Sequence, residues 1–69
     1  GEFSTIAPKA LLLGKVEVGK NVYIGANSTI KQKVKIGKGA VIGAGSVVIR
    51  DVKEFDVVAG IPAKSIKTS

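Results

Sequence analysis

Neither cysteine nor histidine occurs among the 69 residues. Without cysteine there are no disulfide frameworks, thiolate zinc sites or cysteine nucleophiles. Without histidine the commonest general base, the Ser-His-Asp class of nucleophile and His-ligated metals are excluded, so no metal is expected. Aromatic residues are nearly as scarce, limited to Phe3, Tyr23 and Phe55, and with 45% hydrophobic residues the core must be aliphatic. The longest apolar run, Ala10 to Leu13, is too short for a membrane span or a signal segment. These absences describe a soluble chain, expected in the cytoplasm. Nine glycines and two prolines, spread along the sequence, leave no room for a long helix. The length allows one small domain.

Eleven Lys and Arg against five Asp and Glu give a net charge of +6, which favours anionic partners. No nucleic-acid recognition motif accompanies that charge, and three aromatics supply little stacking surface, so nucleic acid is not the expected partner.

What is present is a period of six. Ile6, Leu12, Val18, Ile24, Ile30, Ile36, Ile42 and Val48 are all large aliphatics. Two residues before each lie Ser4, Ala10, Val16, Val22, Ser28, Val34, Ala40 and Ser46, all small or β-branched. A spacing of two puts both members of a pair on one face of an extended strand. The other four residues of each hexad must turn a corner. Glycine follows the aliphatic at 19, 25, 37 and 43. Three residues after the aliphatics stand Lys9, Lys15, Asn21, Asn27, Lys33, Gly39, Gly45 and Asp51; five of these eight are Gly, Asn or Asp, types that tolerate left-handed backbone. Asn21 and Asn27 are therefore assigned to corners. Hexads of this kind predict a parallel β-helix rather than an antiparallel sheet.

Shifting residues 18–30 by eighteen positions gives six identities, against four for shifts of six or twelve. That favours three hexads per coil, a triangular prism in which residues eighteen apart stack about 4.8 Å apart. Residues 1–51 form the repeat region, with two and two-thirds coils over 4–51. Residues 52–69 are expected to form a loop (52–56), a short strand at Val57–Ala59 and a tail lying against the prism. Such a short solenoid exposes unpaired backbone at both ends, which predicts self-association. Leu11, Leu13, Val41, Val47 and Ile49 point outward and are assigned to neighbouring subunits or to the tail. Gly1 continues the corner glycine phase. This suggests a chain cut within a longer repeat, although Gly-Glu-Phe is also a common vector-derived start.

Gly1-Glu2-Phe3-Ser4, Val18-Gly19-Lys20-Asn21, Ile24-Gly25-Ala26-Asn27-Ser28, Ile42-Gly43-Ala44-Gly45-Ser46 and Gly60-Ile61-Pro62-Ala63-Lys64 carry a resemblance. The chain resembles the left-handed β-helix acyltransferases, most of all the bacterial UDP-4-amino-sugar N-acetyltransferases and sialic-acid O-acetyltransferases. The resemblance implies a left-handed β-helix and a homotrimer of prisms. It also implies acetyl-CoA in the groove between neighbours and a nucleotide-sugar or sugar acceptor bound only in a longer enzyme. Its general-base histidine would lie upstream of Gly1, so the 69 residues alone are expected to be inactive. A second family histidine, at the acetyl end of the cofactor, falls at Thr5, and two cofactor-contacting positions fall at Ala26 and Ala44.

Physical reading of the same stretch is compatible. Ala26 and Ala44 stack beside Gly25 and Gly43, where small residues let a pantetheine arm approach the backbone. Gly25 and Gly43 serve equally well as plain corner residues. Lys64 and Lys67 are candidates for cofactor phosphates. Lys31, Lys33 and Lys35 should all point outward and read as a solvated face rather than a phosphate site. Asp51, Glu54 and Asp56 are assigned capping and solubility rather than acid–base work. The alternative function is a non-catalytic, self-assembling structural β-helix. Ranks of outward threonines, as an ice-binding helix would need, are absent, as are the histidines of a zinc-dependent β-helix carbonic anhydrase.

Overall fold

The computed structural model describes residues 2–66. Gly1 and Lys67 lie outside them. Eight two-residue strands follow one another every six residues: β1 (Thr5–Ile6), β2 (Leu11–Leu12), β3 (Glu17–Val18), β4 (Tyr23–Ile24), β5 (Thr29–Ile30), β6 (Lys35–Ile36), β7 (Val41–Ile42) and β8 (Val47–Val48). Two longer strands close the chain, β9 (Val57–Gly60) and β10 (Ala63–Ser65). The strands sort into three walls: β1-β4-β7-β9-β10, β2-β5-β8 and β3-β6. Every pairing in the repeat is parallel with partners eighteen residues apart, such as Ile6 with Ile24 and Ile24 with Ile42. The fold is thus the expected three-walled, left-handed parallel β-helix of about three coils.

Alternation along each short strand turns one residue in and one out. Ile24, Ile30, Ile36, Ile42 and Val48 are buried, as are Val22, Val34 and Ala40 two residues before their aliphatics. Ile6 is 49% exposed because the first coil has a neighbour on one side only among the described residues. Ser28 and Ser46 are fully buried, and a hydroxyl there must be satisfied. Ser28 Oγ donates to the Gly43 carbonyl (2.9 Å), and Ser46 Oγ accepts from Gly60 N–H (3.1 Å). Both serines bond across coils as well as fill space.

Corners obey one rule. The residue three after each aliphatic has positive φ at Lys9, Lys15, Asn21, Asn27, Lys33, Gly39 and Gly45. Where the turn is closed, as by Ser28 N–H to Gly25 O (3.4 Å), the left-handed residue is third of four, the type II arrangement. This conformation aims the corner N–H along the prism axis at the coil before: Lys33 N–H reaches Gly14 O (2.9 Å) and Gly45 N–H reaches Ala26 O (2.8 Å).

Two expectations near residue 51 need correction. Asp51 is not a left-handed corner, and Val52 is not in a loop. Val52 is buried and bridges Ile36, sixteen residues before it, and Val41 and Ile42 pair with Val57 and Val58 at the same reduced spacing. The corner after Val48 is two residues shorter than the others, so the hexad resumes at Val52 and continues to Val58. Lys53–Asp56 then form an ordinary corner, with Phe55 at φ 60° and its N–H donating to Lys38 O (2.8 Å). The short corner removes a carbonyl that Lys35 N–H would otherwise meet, and the Asp51 carboxylate takes its place (Oδ1 at 2.9 Å). Asp51→Ala should lower stability by about 1 kcal/mol in urea unfolding, with Asp51→Asn losing less because it keeps an acceptor.

The tail is a second, unforeseen strand. β10 folds back antiparallel on β9, with Lys64 opposite Ala59. Asp56 Oδ1 holds the hairpin by accepting from Val57 N–H (2.8 Å) and Ser65 Oγ (2.7 Å). No helix among the described residues is long and apolar enough to cross a membrane.

Candidate functional site: the edge between walls 1 and 2

Wall 1 denotes β1, β4, β7, β9 and β10; wall 2, β2, β5 and β8; wall 3, β3, β6 and Val52. Their outward residues differ in kind. Wall 1 presents Thr5, Tyr23 and Val41, and wall 2 presents Leu11, Thr29 and Val47. Wall 3 presents Glu17 and Lys35, with Asp51 next to Lys35. All five carboxylates (Glu2, Glu17, Asp51, Glu54, Asp56) lie on wall 3 or its two edges, as do Lys15, Lys20, Lys31, Lys33, Lys35, Lys38, Arg50 and Lys53. Strands β1, β4, β7 and β9 of wall 1 and all strands of wall 2 are uncharged, β10 carries Lys64, and the two walls meet at an edge with one lysine, Lys9.

That edge carries most of the expected site. Its corners are Ala7-Pro8-Lys9-Ala10, Gly25-Ala26-Asn27-Ser28 and Gly43-Ala44-Gly45-Ser46. Ala26 is half-buried and Ala44 exposed, and their N–H groups donate to nothing among the described residues. The Ala44 carbonyl likewise has no partner there. The result is a low ledge of glycine and alanine with free backbone donors one coil apart.

Gly25 and Gly43 prove different. A Cβ on Gly25 would stand 2.5 Å from Ala44 N and 2.7 Å from Ala44 Cα, so this glycine is required by the stacking of the next coil. A Cβ on Gly43 would come closest to the Ala59 methyl, at 3.0 Å, with Val58 O and Ser46 Oγ at ordinary contact distance (3.5 and 3.6 Å). Ala59 is opposite Lys64, so Lys64 stands one strand beyond the residue that Gly43 faces. Gly25, Ala26, Gly43 and Ala44 are therefore contiguous, whereas Lys64 is separated from Gly43 by Ala59 and lines a hollow with Arg50 and Asp51. Thr5 is on wall 1 but at the other end, four strands from β10, roughly 19 Å at about 4.8 Å per strand.

Other candidates separate from this ledge. Lys31 and Lys33 stand on the edge between walls 2 and 3, and Lys35 on wall 3, all exposed. Asp51 and Asp56 cap backbone as described, and Glu54 is exposed on the edge between walls 3 and 1, so the three carboxylates form no cluster. No group of three or more metal-ligating side chains exists among the described residues. Depressions among the described residues include two of note. One is a groove of about 550 Å³ on wall 3 lined by Glu17, Lys35 and Lys38; the other is a hollow of about 270 Å³ beside β10 lined by Arg50, Asp51 and Lys64. Neither includes Thr5, Gly25, Ala26, Gly43 or Ala44.

A further outward residue on wall 1 is Tyr23. Its ring is 46% exposed on wall 1, one strand from Thr5 and two residues before Gly25. The signal was its place immediately before an inward aliphatic, which points it outward.

Comparison with known proteins agrees with this architecture. The family model for bacterial transferase hexapeptide (six repeats) matches residues 1–32 and 15–50. No curated protein matches the chain. Among solved structures, the acetyltransferase domain of PglB from Neisseria gonorrhoeae, also solved with acetyl coenzyme A, is 36% identical over 93% of this chain and 31% of its own, with a TM-score of 0.91. A mutant of perosamine N-acetyltransferase from Caulobacter crescentus, in complex with CoA and GDP-perosamine, is 32% identical over 99% of this chain and 32% of its own (TM-score 0.96). WeeI from Acinetobacter baumannii is 35% identical over 96% and 34% (TM-score 0.92). The chain thus spans about a third of the length of each. Period, coil and corner glycines, together with these similarities over nearly all its residues, show that the chain belongs to the bacterial transferase hexapeptide family.

Proposed function

We propose that this chain is the acetyl-CoA-binding, self-associating C-terminal part of an acetyltransferase. The enzyme would move acetyl from acetyl-CoA to an amino or hydroxyl group of a sugar or nucleotide sugar in the cytoplasm. One observation carries the reading: the edge flanked by the uncharged strands β1, β4, β7 and β9 on one side and β2, β5 and β8 on the other is also the ledge where Ala26 and Ala44 leave backbone donors free. An acyl carrier with amide groups along an apolar arm suits such a surface. Ala26 and Ala44 would meet its amides, Gly25 and Gly43 would keep the ledge low, Lys64 would face a phosphate, and Thr5 would lie towards the acetyl end. A neighbouring prism, in a homotrimer, would supply the opposite side of the groove. Bound acetyl-CoA supplies the activated acetyl group. With no histidine in the sequence, no catalytic residue is assigned, and the 69 residues by themselves should transfer no acetyl group.

Coenzyme A titration by calorimetry, with light scattering for mass, tests this. Saturable binding to a trimer is expected, and Ala44→Glu should weaken it about tenfold or more, because a carboxylate would be desolvated against the ligand. Folding should be unchanged, since Ala44 is exposed. Saturable binding unaffected by Ala44→Glu would move the ligand elsewhere. A trimer with no binding would leave the structural β-helix.

A further inference from the structure

The edge between walls 2 and 3 has a different character from the ledge. Lys15, Lys31, Lys33 and Arg50 follow its corners through three coils, all exposed, and none makes a hydrogen bond or ion pair through its side chain among the described residues. Asp51, the carboxylate on this edge, accepts from Lys35 N–H. Lys15 and Lys33 hold φ of 62° and 67°, a conformation that costs a lysine energy and an asparagine or glycine much less. The equivalent column on the ledge runs Lys9, Asn27, Gly45, and on the third edge it includes Asn21 and Gly39. Only this edge keeps lysine at both of its left-handed corners.

Beside the cations stand Leu13 (37% exposed) and Ile49 (43%), in one column with Lys31. No aromatic residue lies on this edge, so there is no platform on which bases would stack. Exposed cations on successive coils, flanked by half-exposed aliphatics, suit an anionic lipid interface. The geometry points to this edge as a peripheral docking surface for an anionic bilayer, independent of any acyl-carrier site. Cations meet lipid phosphates, and Leu13 and Ile49 enter the headgroup boundary.

Flotation with vesicles tests it. The protein should rise with phosphatidylcholine vesicles containing about a third phosphatidylglycerol, should stay behind with phosphatidylcholine alone, and should be released by salt. The double variant Lys15→Asn/Lys33→Asn should lose about tenfold or more of its vesicle partition, while its thermal midpoint rises because both corners are relieved. Lys20→Asn/Lys38→Asn, which removes the same charge from another edge, should partition much as the unaltered chain does. The inference fails if the unaltered protein does not float, or if both double variants lose binding equally. Tighter binding to random-sequence duplex DNA than to the vesicles, with the same dependence on Lys15 and Lys33, would also overturn it by making the partner a nucleic acid.

Discussion

Gly25→Ala should remove about 3 kcal/mol of stability, read as a fall in the urea midpoint. The added methyl would sit 2.5 Å from Ala44 N, 2.7 Å from Ala44 Cα and 2.9 Å from Gly43 C, all backbone atoms of the next coil. No side chain can rotate away, so the coils themselves must part. That opens the hydrogen bonds on either side, Gly25 N–H to Ile42 O (2.8 Å) and Gly45 N–H to Ala26 O (2.8 Å). A domain of this size has only a few kcal/mol in total, so the variant should be largely unfolded at body temperature. Gly14→Ala is the control: nothing lies within 4 Å of its Cβ position, and the change should stay within about 0.5 kcal/mol. Equal midpoints for Gly25→Ala and the unaltered chain would show that the coils do not stack as described.

Ile42→Ala should cost between about 2 and 5 kcal/mol, the usual range for deleting a buried aliphatic. Ile42 is fully buried and lies in register between Ile24 on one coil and Val58 on the next. Both neighbours are fixed by backbone pairing, so the space left behind closes poorly. Ile6→Ala alters the same place in the repeat but begins 49% exposed, and it should cost under half as much. The ratio between the two variants, measured under one set of conditions, checks which coil is central.

Much of this was legible in the residues. Inward aliphatics every six positions are imposed by strand alternation and a three-sided cross-section, so the period of eighteen exposed the walls directly. The shortened corner is hidden because a uniform spacing of six runs past it. Once Val52 is taken as an inward residue, Val58 falls six later and Phe55 three later, as the corner rule requires. Glycines resisted interpretation for another reason. Gly39 and Gly45 are corners with positive φ, whereas Gly19, Gly25 and Gly37 are small because the next coil passes over them. One letter serves both purposes. Segregation of charge onto wall 3 was present in the sequence as columns eighteen apart, but it has meaning only after the walls are assigned. The spatial link from Lys64 to Gly43 depends on the β9–β10 hairpin, for which the repeat gave no sign.

The hairpin also bears on how far such a column can be lengthened. Parallel solenoids add units at an open rim, and a rim of free amides and carbonyls is a template for any similar segment. By reversing direction, β10 covers that rim on wall 1 with a strand of opposite polarity. The two-residue deficit before Val52 puts the remaining rims out of step with a full eighteen-residue turn. A further coil stacked on β10 would meet a strand running the opposite way, so the hairpin makes this rim a poor template for parallel growth.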